Sequence, residues 1–194
     1  MEANIKDMKT LIVAHFDDEC LWFNPQNFDQ IYICNLFRRD DRTDMNAKRY
    51  QAWKNHPLKD KIRLIGLTET LLWKEPNEME ENAYQMNKKI LTLALSEALK
   101  NSTAIYTHNA KGEYGHSDHL LINKVVMDNA RCPVYSWDGD GIDKIMPTKD
   151  QELIEEETNL EIYKEIKALY QKHGCWTWQK DYLPAIKRRY IKIL

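Results

Sequence analysis

Residues 9–19 read KTLIVAHFDDE, an apolar run that ends in one histidine and three carboxylates. An apolar run of this length without in-out alternation marks a central parallel strand, buried on both faces. Four further stretches read as strands: QIYICNLF (30–37), IRLIGL (62–67), AIYTH (104–108) and CPVYSW (132–137). Between them TDMNAKRYQAWKNH (43–56), EMEENAYQMNKKILTLALSEALK (78–100) and SDHLLINKVVMDNA (117–130) read as helices. In the second of these, Ala83, Met86, Ile90, Leu93 and Ala94 recur at helical spacing. Such alternation predicts an α/β domain built on a doubly wound, mostly parallel sheet. From Asp150 the stretch DQELIEEETNLEIYKEIKALYQKH reads as a helix with an acidic start. The aromatic and basic segment after it is expected to pack back on the sheet, within one domain spanning residues 1–194.

The 194 residues suit a core large enough to fold alone. Lys and Arg number 28 against 30 Asp and Glu, a formal charge of −2, so no global attraction to nucleic acid or an anionic membrane is expected. The basic close KRRYIKIL (187–194) does not outweigh that balance. Cys20, Cys34, Cys132 and Cys175 form no CxxC pair, which argues against a zinc knuckle or disulfide framework and for a reducing, cytoplasmic setting. MEANIKDMKT lacks the apolar centre of a signal peptide, and no stretch nears the roughly 18 apolar residues of a membrane span.

In an open parallel sheet, ligands bind beyond the carboxyl ends of the strands. A strand over 9–14 therefore delivers His15, Asp17, Asp18 and Glu19 to that edge. Carboxylates crowded there repel one another unless a cation or a helix N-terminus offsets them. GEYGHSDH (112–119) follows AIYTH and brings His116, Asp118 and His119 to the same edge. A catalytic metal asks for three nitrogen or carboxylate ligands and one open position, and His15, Asp18 and His119 offer such a set. Read alone, the first cluster also suits the acidic first turn of a helix, and Ser117 or Asp118 suits a cap for the helix near Leu120.

AHFDDE (14–19) followed by GHSDH (115–119) resembles the LmbE/PIG-L family of zinc-dependent N-acetylglucosaminyl de-N-acetylases, whose signatures are AHPDDE near the N-terminus and a GHxDH-like motif in mid-chain. The resemblance implies a Rossmann-like, three-layer α/β domain. It implies that His15, Asp18 and His119 ligate Zn2+, that Asp17 is the general base, and that His116 stabilises the oxyanion in protonated form and assists the leaving amine, with Asp118 orienting it. Phe16 replaces the signature proline, and CLWFNP (20–25) is closer to the MFFxP style of the eukaryotic branch. The segment RRDDRTDMNAKRYQAW (38–53) echoes the family's arginine and glutamate pattern only loosely. In KALYQKHGCWTW (167–178), Cys175 and Trp176 stand where Ser and Gln are usual.

The expected function is thus zinc-dependent hydrolysis of the acetamide of an N-acetylglucosamine-type conjugate, with a small-molecule substrate and no nucleic-acid partner. A zinc amidase acting on a non-sugar N-acyl substrate, or a non-catalytic sugar-binding module, remains open. For the substrate, Trp22 offers a flat face to a sugar, whereas Trp137, Trp176 and Trp178 are assigned to the core. In FRRDDR (37–42), Arg38 and Arg42 are candidates for an anionic group, against the alternative of a solvated charged loop. His108 ends the fourth strand, at the edge of the pocket or in the core.

Overall fold

The stretch 11–14 is fully buried, with Leu11 and Val13 in one apolar cluster and Ile12 and Ala14 in another. Burial on both faces is what puts this strand at the centre of the sheet. The structure, a computed structural model, describes residues 7–38, 43–70, 78–139 and 151–194. In chain order its elements are β1 (Lys9–Val13), α1 (Asp18–Leu21), β2 (Gln30–Phe37), α2 (Thr43–Lys54), β3 (Ile62–Thr68), α3 (Glu78–Ala94) and α4 (Ser96–Asn101). There follow β4 (Ala104–Thr107), α5 (Gly112–Gly115), α6 (Ser117–Asn129), β5 (Val134–Trp137), β6 (Leu153–Glu157), α7 (Leu160–His173) and β7 (Lys187–Lys192).

The strands form one sheet in the order β3-β2-β1-β4-β5-β7-β6. The first five run parallel, and β7 is antiparallel to both β5 and β6. Helices α2 and α7 bury Met45, Ala52, Tyr163, Ile166 and Tyr170 on the Leu11–Val13 face. Helices α3, α4 and α6 bury Leu91, Leu99, Leu121 and Val125 on the other. The result is the three-layer, Rossmann-like α/β arrangement expected. Strand order reverses between β1 and β4, which opens a crevice beyond their carboxyl ends. Among the described residues no helix is long and apolar enough to cross a membrane.

The region after Asp150 departs from expectation. Residues 153–157 form a strand, and the helix starts only at Leu160, where the Asn159 side chain accepts from Ile162 N at 3.2 Å. The acidic run is a strand because it lies beside a basic one: Glu155, Glu156 and Glu157 stand in register with Arg189, Arg188 and Lys187, and the Glu155 carboxylate lies 3.4 Å from Arg189 and 3.5 Å from Lys187. The helix expected over 78–100 also divides, at Leu95.

Arg188 ties this antiparallel edge to the crevice. It is 1% exposed and donates to Leu21 O and, at 2.8 Å, to Cys20 O. These are carbonyls that so short a helix as α1 leaves without intrahelical partners. Substituting Arg188→Met is expected to lower stability by about 2 kcal/mol, the usual worth of hydrogen bonds to a charged group. An unshifted urea midpoint would show the clamp to be dispensable.

Candidate metal centre

After Val13 the chain leaves the sheet and turns sharply at Asp17, whose φ of 88° lies in the left-handed region. A side chain there costs on the order of 1–3 kcal/mol and needs support from its surroundings. Glu19 supplies it: its carboxylate is fully buried, accepts from Asp17 N at 3.0 Å and is held by Tyr170 Oη at 2.6 Å. Of the three carboxylates after His15, Glu19 therefore serves the turn. Asp18 turns back toward His15, accepting from its backbone N at 2.7 Å, and receives Trp22 Nε1 at 3.3 Å.

The second cluster arrives through α5 and α6 and meets the first. His15 Nδ1 lies 3.2 Å from Asp18 Oδ2 and 3.2 Å from His119 Nε2, and His119 Nε2 lies 3.4 Å from Asp18 Oδ2. Ligands about 2.0–2.1 Å from a tetrahedral centre are about 3.3 Å apart, so the three donors have the spacing of a metal site. The far nitrogens agree. His15 Nε2 lies 3.2 Å from Asp118 Oδ2, and His119 Nδ1 lies 2.6 Å from Glu113 Oε2. Each carboxylate takes a ring N–H, which leaves the lone pairs of His15 Nδ1 and His119 Nε2 facing Asp18. Buried groups of His, Asp and Glu here can hold a metal ion.

The electrostatics state the same demand for positive charge. Burial pulls His15 down, but Asp118 and Asp18 outweigh it and raise it to about 9. His119 is also raised: Asp18 and Glu113 overcome its burial and the neighbouring His108. Despite burial, Asp18 is held well below the usual carboxylate range by His119, His108 and His15. Burial is likewise overcome at Glu113, lowered to about 2 by His108 and His119, and at Asp118, lowered to about 2 by His15 and Thr70. Asp17 goes the other way. Burial and the charge of Asp18 raise it to about 7, against the two hydrogen bonds it accepts from Thr177, from N at 3.0 Å and from Oγ1 at 2.7 Å.

His116 caps α6, its Nδ1 accepting from Asp118 N at 3.2 Å. Burial, His15 and His119 lower it to about 3. The direction opposes the protonated form expected, and the occupied Nδ1 leaves Nε2 as the place for a ring proton. The role foreseen for Asp118 shifts too: its carboxylate is taken up by His15 and by Thr70, 2.6 Å away at Oγ1, and it meets His116 through its backbone. His108 is fully buried, accepts from Ala14 N at 2.9 Å and stacks on His119, bracing the ends of β1 and β4.

His15, Asp17, Asp18 and His116 line a cavity of about 260 Å³ together with Arg38, Arg49 and Glu69. Arg49 is 2.5 Å and Arg38 3.6 Å from Glu69, so both guanidinium groups face a carboxylate. Arg42 lies outside the described residues. Trp22 is buried against Trp137, and Trp178, assigned to the core by sequence, packs against it and also lines the cavity. Glu113, Thr70, Tyr114 and Thr177 escaped the sequence reading. Only Glu113 had a visible signal, a carboxylate in the same GEYGHSDH segment as His119.

Fold and site together define an α/β protein with a buried, metal-competent His–Asp–His cluster at its topological switch point. No protein-family model matches the chain, and no curated protein matches it.

Glu113 has a positive φ of 59° and is 4% exposed, a costly place for a charged residue unless it is needed there. Glu113→Gln is expected to weaken divalent-metal binding by about 10–100-fold, the usual effect of losing a carboxylate behind a ligating histidine. Competition with a chromogenic chelator measures it, and unchanged affinity would separate Glu113 from the metal.

Proposed function

We propose that the chain is a zinc-dependent de-N-acetylase that hydrolyses the acetamide of an N-acetylglucosamine-type conjugate to acetate and a free amine. The observation that carries this reading is the trio His15 Nδ1, Asp18 Oδ2 and His119 Nε2, mutually 3.2–3.4 Å apart, beside a second carboxylate, Asp17, on the wall of the same cavity. The likeness of AHFDDE and GHSDH to the LmbE/PIG-L signatures supports membership of that family and zinc as the ion. Four free cysteines suit a cytoplasmic setting.

When held by His15, Asp18 and His119, zinc supplies an acidified water and polarises the acyl oxygen. The protein's own groups do the rest. Asp17, raised to about 7, accepts the proton of the attacking water while Thr177 fixes the direction of its carboxylate. His116 donates its Nε2 proton as a hydrogen bond to the oxyanion, a task a neutral imidazole performs. As the intermediate collapses, the proton held by Asp17 passes to the departing nitrogen. Asp118 and Glu113 keep His15 and His119 in the tautomers that face the ion.

Asp17→Asn should retain stoichiometric zinc while losing about 10²–10⁴ in turnover, because an amide fills the volume but accepts no proton. Elemental analysis and an assay for free amine released from N-acetylglucosamine conjugates test both halves, and full activity would remove Asp17 from the mechanism. His119→Ala should instead fail to retain zinc through gel filtration; stoichiometric metal in that variant would overturn the ligand set.

A further inference from the structure

Beside the metal cavity lies a larger cleft of about 580 Å³, whose walls include Trp22, Trp137, Trp178, Tyr182, Tyr114 and Leu183. Tyr114 and Trp178 line both spaces, so the cleft continues directly from the metal centre. At 260 Å³ the inner cavity falls below the range of about 300–1,000 Å³ typical of small-molecule sites, and the cleft supplies the remaining room.

Its chemistry is one-sided. Among the described lining residues there is no Lys or Arg, and the one ionised group, Glu113, is engaged by His119, His108 and Asn109 N. Arg38 and Arg49 belong to the inner cavity, where Glu69 faces them. A phosphate placed among these described residues would lose its water and find no cation in exchange. Flat or apolar surface would find prepared walls. Trp22 is held by its Nε1 on Asp18 and by its ring on Trp137, 4.5 Å between centroids, so little ordering remains to be done on binding. At the rim Leu183 is 66% exposed, an apolar side chain in water that a hydrophobic ligand would cover.

We propose that this cleft receives the group attached to the amino sugar, and that the group is uncharged and apolar, an aryl or similar hydrophobic aglycone. The inference rests on the de-N-acetylase reading for the position of the acetamide, but the chemistry of the cleft is testable without turnover.

Three probes separate the possibilities: phenyl N-acetyl-β-D-glucosaminide, its methyl counterpart and N-acetylglucosamine 1-phosphate. Calorimetry on the zinc-loaded Asp17→Asn chain reads binding, and amine release by the unaltered chain reads kcat/KM. The phenyl glycoside should bind at least about tenfold more tightly than the methyl one, with the phosphate no better than methyl. Leu183→Asp, at an exposed position that does not threaten folding, should shrink the phenyl-to-methyl ratio, as should Trp178→Ala. Equal binding of phenyl and methyl glycosides, preference for the phosphate, or binding of none would overturn the proposal. Phenyl-selective binding without amine release upholds the cleft and sinks the de-N-acetylase reading. Amine release without phenyl preference does the reverse.

Discussion

Three electron-rich atoms, two imidazole nitrogens and a carboxylate oxygen, stand within 3.4 Å of one another, and the rest of the molecule is arranged around that proximity. Without compensating positive charge such a group is repulsive, more so out of water. The fold makes the approach possible by reversing strand order between β1 and β4, so that two chain segments remote in sequence leave the sheet side by side. It makes the approach hold by placing a carboxylate behind each histidine. Asp118 and Glu113 fix ring orientation, and their charge in turn favours a cation between the rings.

Adjacent carboxylates in this site have opposite acidities. Asp18 sits among His119, His108 and His15 and stays ionised; Asp17 feels Asp18 beside it and is raised to about 7. The left-handed turn at Asp17 is what separates their surroundings, sending one side chain toward the histidines and the other toward Thr177. In the reaction proposed, this division assigns the ligand and the base.

The central strands, the intervening helices and the meeting of AHFDDE with GHSDH were legible in the sequence, because double burial, helical periodicity and clustered ligand types are local signals. What escaped depends on distant partners. LIEEE is a strand only because KRRYIK lies beside it, and nothing within those five residues says so. Thr177 belongs to the site through its contact with Asp17, across the whole intervening fold. The downward pull on His116 comes from burial and from two other histidines, information that no motif carries. The aromatic cleft gathers Trp22, Trp137 and Trp178 from three separate segments, and of these only Trp22 was read from sequence as facing a ligand.

The placement of β7 bears on the order of assembly. It inserts between β5 and β6, so β6 has no neighbour in the sheet until residues 187–192 have been synthesised. Arg188 within it grips the carbonyls of Cys20 and Leu21, just past Asp18. On the ribosome, a nascent chain can therefore complete its parallel strands first, yet the loop bearing His15 and Asp18 gains its Arg188 clamp only once residues 187–192 have emerged. Ordering of that loop thus follows the pairing of the parallel strands and does not precede it.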